Sequence, residues 1–484
     1  MKTNSHHPFL AAWGLGLLAL VLSADQSSVS KTTVVGRATP SAPSMMSFVG
    51  PRVYEFQESS LGQAIAPAMD GGYYIGGRMG YSSAGGYDDD AFVLKTGPSG
   101  DFQWGAAFGS GIGDDMDEIT SLVPTPDGGC LALGYEGRNY DTTADILAIK
   151  FGPSGSFDWT KVYESDRHSD ALGYGAAAAA DGGFFVAGQI GRYSQGLSPD
   201  GWVLKLNASG NIVWQKAIGG PDTDCLYSIL SLPGGDSLAV GSSGGGRIWL
   251  VRFDSRGSVR WQKGSSPEAG GWSELRSIVP ATDGGFVAVG SHGTPGDNGL
   301  KIAVFVLKID GNGNIVWGRE FSGSNSTYGR SLAPTSGGGY IVLGHEDGRP
   351  VSHVLKLDGS GSLQWQMMAG SAEKDMSCLL LGACRTSLGA VGLTGGLAGK
   401  TLVMMVNDIQ TVIVPCFQTP DSSLSQTQAD FSLENVSLAA TTTTSRPHAP
   451  SRGGTYVASA QAGRACGPRP NLFPIPLIRS TFRR

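Results

Sequence analysis

Val203-Leu204-Lys205-Leu206-Asn207-Ala208-Ser209-Gly210-Asn211-Ile212-Val213-Trp214 reads as two β-rich arms flanking an Asn-Ala-Ser-Gly turn. Inside it lies a ten-residue spacing: a cation, four residues, a glycine, three residues, a tryptophan. The spacing occurs six times, at Lys95–Gly100–Trp104, Lys150–Gly155–Trp159, Lys205–Gly210–Trp214, Arg252–Gly257–Trp261, Lys308–Gly313–Trp317 and Lys356–Gly361–Trp365, and never slips by a residue. An unbroken internal repeat means that one supersecondary unit is being stacked.

A second motif alternates with the first. It is Asp-Gly-Gly followed by alternating apolar residues, as in Asp70-Gly71-Gly72-Tyr73-Tyr74-Ile75, Asp127-Gly128-Gly129, Asp181-Gly182-Gly183-Phe184-Phe185-Val186 and Asp283-Gly284-Gly285-Phe286-Val287. Variants stand at Pro233-Gly234-Gly235, Gly337-Gly338-Gly339 and Ser387-Leu388-Gly389, which makes seven. Asp and Gly tolerate the positive φ of tight hairpins. One unit therefore holds four short strands in a meander. The Asp-Gly-Gly turn joins the first and second strands, and the glycine of the Lys–Gly–Trp motif joins the third and fourth.

Helical periodicity is absent between residues 51 and 416, and glycine (74 of 484 residues) is too frequent for helices. A repeat of roughly fifty residues with four strands has the size of a propeller blade. The fold class expected is all-β, a seven-bladed β-propeller of four-stranded antiparallel blades. Its seventh blade is worn: Leu402–Val406 reads as its third strand and Thr411–Val414 as its fourth, with Val414 where the tryptophan would be. An extra strand, Val53-Tyr54-Glu55-Phe56, is expected to dock on blade seven and close the ring.

The regularity of the tryptophans assigns Trp104, Trp159, Trp214, Trp261, Trp317 and Trp365 to packing between blades rather than to a ligand ring. The lysines at the ends of the third strands read as solvated charges that protect a sheet edge.

The ends read differently from the repeat. Residues 1–24 carry one Lys, two His, an apolar core and a small-residue close, the pattern of a signal peptide. Residues 25–50 form a Ser/Thr/Pro-rich linker, residues 51–417 the propeller, and residues 418–484 a low-complexity tail expected to be disordered. From residue 441 onward there are seven arginines and no acidic residue or lysine. Removing them from the formal net charge of −6 leaves −13 for residues 1–440, an acidic body with a basic tail. No stretch after the leader is long and apolar enough for a transmembrane helix. The expected location is secreted, periplasmic or cell-surface, and the expected state a monomer. The six cysteines suit an oxidising compartment, with fifteen pairings open. Cys130 and Cys225 lie inside strand motifs and read as buried thiols.

The meander places the loops between second and third strands, and those between one blade and the next, on a common face. They vary in length where the opposite turns do not, so this is the candidate binding face. Arg with Tyr recurs in its long loops: Arg78, Tyr81 and Tyr87, then Arg138 and Tyr140, then Arg192 and Tyr193. Carboxylates recur near the starts of the innermost strands, among them Asp114, Asp117, Asp170 and Asp224, and would ring the channel mouth. Oxygen ligands of this kind suit a structural Ca²⁺ or a basic peptide; the competing reading is that each caps its own loop. Aromatic, Arg and acid groups together suit a carbohydrate or peptide. Asp310-Gly311-Asn312-Gly313-Asn314 opens like a calcium loop, but Phe321 stands where the closing Glu would be. Gly241-Ser242-Ser243-Gly244-Gly245 does not lead into the helix a nucleophile elbow requires. His292 and His345 follow second strands of neighbouring blades and lack a placed third ligand.

The pairing of Asp-Gly-Gly-Tyr/Phe with Leu-Lys-Leu-Asp-x-x-Gly-x-Ile-x-Trp resembles secreted bacterial and archaeal β-propeller repeat proteins, over about residues 52–416. It is distantly similar to quinoprotein-like propellers, which also end their repeats in a docking tryptophan. The adjacent cysteine pair of those dehydrogenases is missing, so no quinone site is implied. The resemblance implies an extracellular or cell-envelope scaffold without assigned catalysis. The function expected is a non-catalytic module that presents its variable face to a protein or polysaccharide partner, with no nucleic acid or other cofactor. The alternative is a carbohydrate-active hydrolase or lyase using carboxylates at the channel mouth.

Overall fold

In a computed structural model, the described residues are 51–56, 58–83, 86–109, 116–137, 144–164, 170–191, 198–265, 271–296, 299–370, 377–386 and 389–406, with seven short strands between 417 and 464. They form seven antiparallel sheets. The blades span residues 59–109, 118–163, 171–219, 225–265, 272–322, 327–369 and 378–406, and sheet order follows chain order from the channel outward. A 3₁₀ turn at Pro233–Gly235 is the one helical element among the described residues. The seven-bladed, four-stranded expectation holds.

The two sequence motifs turn out to be one device. The lysines are not solvated: Lys95, Lys150, Lys205, Lys308 and Lys356 are all buried. Strand pairing sets each third-strand lysine beside the Asp-Gly-Gly turn of its own blade, and Nζ reaches the aspartate. Lys95–Asp70 is 2.7 Å, Lys150–Asp127 2.8 Å, Lys205–Asp181 2.8 Å and Lys308–Asp283 2.5 Å. Nζ also donates to the next residue's carbonyl, at Thr96, Phe151 and Leu206. An edge-protecting charge would need to face water; here the outer strand and the turn cover it.

The aspartate's other work is local: Asp70 Oδ1 accepts the Gly72 N–H at 2.9 Å. Gly71 holds φ +84°, and a Cβ on Gly72 would sit 1.9 Å from the Thr96 carbonyl, so neither glycine is replaceable. Where the turn changes, the cation's partner changes with it. In blade four Arg252 pairs with Asp236 at 2.9 Å. In blade six, with Gly337 in the aspartate's place, Lys356 donates to Thr335 Oγ1 at 2.6 Å. In blade seven Met405 takes the lysine's register position opposite Gly392, and the sequence there has Leu388 for the aspartate.

This predicts an asymmetry. Asp70→Ala strands a buried ammonium and is expected to cost about 1–3 kcal/mol. Lys95→Met copies blade seven, leaves an aspartate that is already half exposed, and is expected to cost under about 1 kcal/mol. Urea melts of the two variants check this; an equal or larger loss for Lys95→Met rejects it.

The tryptophans do pack between blades. A Cβ on Gly155 would meet the Trp104 ring at 2.8 Å, and Gly210, Gly257, Gly313 and Gly361 stand in the same way against Trp159, Trp214, Trp261 and Trp317. Each indole thus lies on the motif glycine of the next blade. Trp104, Trp159 and Trp214 donate Nε1–H to Pro153, Ala208 and Ser255 carbonyls at 3.2, 3.1 and 3.1 Å. The apolar core is correspondingly divided into seven larger clusters among the described residues, each shared by two neighbouring blades.

Ring closure falls to the strand Arg52–Glu55, which pairs antiparallel with Lys400–Val406 as the fourth strand of blade seven. This corrects the assignment of that place to Thr411–Val414, which lies outside the described residues. Tyr54 occupies the register position that Tyr163 holds in blade two. Both hydroxyls donate to a motif-glycine carbonyl of the next blade, Tyr54 to Gly100 at 2.6 Å and Tyr163 to Gly210 at 2.7 Å.

Short strands after residue 416, nearly all in the stretch 418–484 read from composition as a disordered tail, add a fifth strand to every blade. Phe417–Gln418 pairs with the outer strand of blade six, Ser425–Gln428 with five, Leu433–Asn435 with four, Ala439–Thr441 with three, Pro447–His448 with two, Gly454–Tyr456 with one, and Gln461–Arg464 with the closing strand. The chain thus laps the ring once, in reverse blade order. Gln426 clasps two blades: its Oε1 accepts the Leu363 N–H and its Nε2 donates to the Gly361 carbonyl. Cys130, Cys225, Cys378 and Cys384 are free thiols; Cys416 and Cys466 lie outside the described residues.

Candidate functional site

The face with variable loops begins at the mouth of the channel. Asp117, Asp170 and Asp224 stand there, each at a blade boundary. The Asp117 N–H donates to the Asp89 carbonyl of blade one, while its Oδ1 accepts the Gly137 N–H of blade two at 2.7 Å. Asp224 repeats the pattern: its N–H goes to the Pro199 carbonyl, and its carboxylate accepts the Gly220 and Gly244 N–H groups at 2.7 and 3.0 Å. Burial raises the Asp224 carboxyl above the usual range, against those two donors. Asp170 accepts the Ala144 N–H at 3.1 Å, and its carbonyl takes the Gly191 N–H. These three residues lace loops of adjoining blades together, Asp117 through its backbone N–H. No group of three or more His, Cys, Asp or Glu among the described residues is arranged to hold a metal.

Arg78 is tied down too. It pairs with Asp89 at 2.7 Å and lies 3.7 Å from Glu118, whose other oxygen accepts the Tyr135 hydroxyl at 2.5 Å. Tyr81 and Tyr87 lie on the hairpin of blade one, across from Asp88 and Ser82. Asp114, Arg138, Tyr140, Arg192 and Tyr193 lie outside the described residues. His292 contacts Glu320 and His345 contacts Arg330, so the two histidines belong to separate networks. Asp310 accepts the N–H groups of Asn312 and Asn314 at 2.8 Å, an ordinary turn cap.

The arrangement that sequence reasoning missed lies deeper. Every innermost strand carries a β-bulge at the same place, seen as a register shift around one residue: Gln63, Thr120, Tyr174, Tyr227, Arg276, Arg330 and Leu381. A bulge leaves one residue out of the ladder and re-aims its side chain. All seven are half-buried, as expected of side chains lining a channel.

Tyr174, Tyr227 and Arg276 touch in turn, and Gln63, Thr120 and Arg330 reach groups of their own or the next blade. Gln63 donates to Glu118 of blade two. Thr120 Oγ1 donates to the Gly173 carbonyl at 2.8 Å. The Tyr174 and Tyr227 rings lie 5.3 Å apart, and the Arg276 guanidinium sits 3.8 Å from the Tyr227 ring centroid. Arg276 is anchored by Glu274, Nε to Oε1 at 2.6 Å. Arg330 Nε donates to His345 Nδ1 at 3.1 Å. The His345 ring stacks on Tyr328, whose far neighbour is Trp272.

Charge divides this ring. One side holds Gln63, Thr120 and Leu381; the other holds two arginines, of which Arg276 pairs with Glu274, with four aromatic side chains around them and Asp347 near Tyr328. Burial, and then the Arg330 charge, lower the His345 pKa to about 4, so its imidazole is neutral at pH 7. Burial and the neighbouring Arg276 charge both depress Arg330. For Arg276 burial acts downward, but Glu274 outweighs it and the guanidinium is held more firmly protonated than usual. A sequence signal existed: in each repeat a variable residue directly precedes a small one, as in Gln63-Ala64, Tyr174-Gly175, Arg276-Ser277 and Arg330-Ser331.

No protein-family model and no curated protein matches the chain. Among solved structures, a protein of unknown function from Bacteroides caccae is 12% identical over 64% of this chain and 93% of its own, with a TM-score of 0.37. A protein of unknown function from Dyadobacter fermentans is 10% identical over 74% of this chain and 98% of its own, TM-score 0.37. A puromycin hydrolase is 12% identical over 73% of this chain and 54% of its own, TM-score 0.36. Likeness at this level carries no argument about activity.

Proposed function

We propose that this chain is a non-catalytic binding module, secreted or held at the cell envelope, that takes a glycan or protein partner on its variable loop face. The observation that supports this reading most is the state of the mouth carboxylates. Asp117, Asp170 and Asp224 accept backbone N–H groups of their own and neighbouring loops. A glycosidase needs two carboxyl groups about 5–10 Å apart and free to face the scissile bond. What the channel offers instead is aromatic and cationic.

One observation favours the alternative of a carbohydrate-active enzyme. Burial raises the Asp224 carboxyl, which is what a general acid requires. A single experiment separates the two readings. The protein is applied to a panel of immobilised polysaccharides, and the soluble fraction is assayed for new reducing ends and unsaturated sugars. Retention without product is expected, with retention reduced in a Tyr87/Tyr140/Tyr193→Ala triple variant. Product formation that disappears in Asp224→Asn overturns the non-catalytic reading. Full retention of the triple variant overturns the assignment of the face.

A further inference from the structure

We infer that the charged side of the bulge ring is a binding site for a uronate-containing polysaccharide, with Arg276 and Arg330 holding a sugar carboxylate. This rests on the binding-module reading and narrows its ligand to one chemical class.

Three features carry it. The first is uncompensated charge. Arg276 pairs with Glu274, whose charge also reaches Arg330; the Arg330 hydrogen bonds go to neutral His345, and among the described residues no carboxylate lies within ion-pair distance of it. Two neighbouring half-buried arginines with one acid in direct contact leave hydrogen-bonding and charge unmatched, which an incoming anion would relieve. The second is preorganisation. The Arg276 guanidinium is fixed by Glu274 and the Tyr227 face, and Arg330 by the His345 ring, so little side-chain freedom is lost on binding. A planar guanidinium fork matches a carboxylate with two parallel hydrogen bonds. Arg276 remains 29% exposed and can be reached.

The third feature selects a sugar. Tyr174, Tyr227, Tyr328 and Trp272 are half-buried around the two arginines. Such rings present apolar faces with polar tips, which suit the C–H faces and hydroxyl edges of a pyranose. An acidic peptide could use the arginines but would gain less than a sugar from the exposed parts of these rings. The bulges themselves explain why the site is absent from the repeat: they take a variable position in each blade and turn it toward the axis.

The test measures binding of the whole chain to polygalacturonate, dextran, dextran sulfate and poly-glutamate by isothermal titration calorimetry at low and moderate salt. Polygalacturonate is expected to bind, with affinity falling as salt rises. Arg330→Gln is expected to weaken it at least tenfold, while Arg330→Lys retains part of the affinity. Thermal melts of both variants verify that the fold is kept, and Gln63→Ala, on the uncharged side, serves as the control that leaves binding unchanged. Equal binding of dextran and polygalacturonate overturns the uronate inference but leaves the binding-module reading intact. Equal binding of poly-glutamate overturns the sugar part, and equal binding of dextran sulfate overturns the preference for carboxylate. Undiminished polygalacturonate binding by a folded Arg330→Gln variant removes the site.

Discussion

A chain ending at Cys416 is expected to fold but to self-associate far more strongly than the full chain. The magnitudes decide this. Each strand pairing of the lap contributes hydrogen bonds worth about 0.5–1.5 kcal/mol apiece. Ordering each residue of the tail costs about 1–2 kcal/mol of backbone entropy. The two nearly cancel, so the lap adds little net stability. Its larger consequence lies at the edges. Without it the outer strand of every blade presents unpaired N–H and C=O groups, which are templates for pairing with another molecule. Light scattering and sedimentation of the truncated chain should show growing assemblies, with a melting temperature within a few degrees of the full chain's. Amide exchange should quicken in the outer strands, such as Phe102–Gly109 and Ile315–Ser322. A truncated chain as monodisperse and as slow to exchange as the full one would show that the lap does not cover these edges.

Removing the closing strand should do the opposite, destroying stability outright. Val53 packs into the cluster between blades six and seven, and Tyr54 and Phe56 into the cluster between blades seven and one. Burial of three such side chains is worth roughly 5–9 kcal/mol, comparable to the whole stability of an ordinary domain, about 5–15 kcal/mol. A chain beginning at Gln57 is therefore expected to lose its cooperative unfolding transition, while one beginning at Pro51 keeps it. Tyr54→Phe, which removes only the hydroxyl donated to Gly100, should cost about 1–3 kcal/mol because the carbonyl is left unpaired. Chemical denaturation with fluorescence and circular dichroism detection measures all three. Equal midpoints for the chains beginning at Pro51 and Gln57 would refute closure by this strand.

Much of the fold is legible in the chain. Asp-Gly-Gly and the Lys–Gly–Trp spacing mark the two hairpins of each blade, and their repetition counts the blades. The inter-blade tryptophans follow from their regularity. Other features are not legible, each for a physical reason. The lysine reads as solvated because its partner, Asp70 for Lys95, lies twenty-five residues away and meets it only through strand pairing. The tail reads as disordered because it is held by backbone hydrogen bonds to existing edges, which need no apolar pattern. The mouth aspartates look like a ligand set in sequence, since a carboxylate that caps a loop and one that binds a cation are spelled alike.

The sequence by itself determined the architecture: the period, the turns and the packing residues are local, and local chemistry repeated in every blade suffices to specify a blade. Only the tertiary structure decided how the ring closes, what covers its edges and which side chains face the axis. Closure joins Tyr54 to Thr401, positions whose proximity no local rule can state. The axial ring of Gln63, Thr120, Tyr174, Tyr227, Arg276, Arg330 and Leu381 shares no residue type beyond its two tyrosines and two arginines. It exists because a bulge recurs at one register position, and register is a property of paired strands rather than of either strand alone.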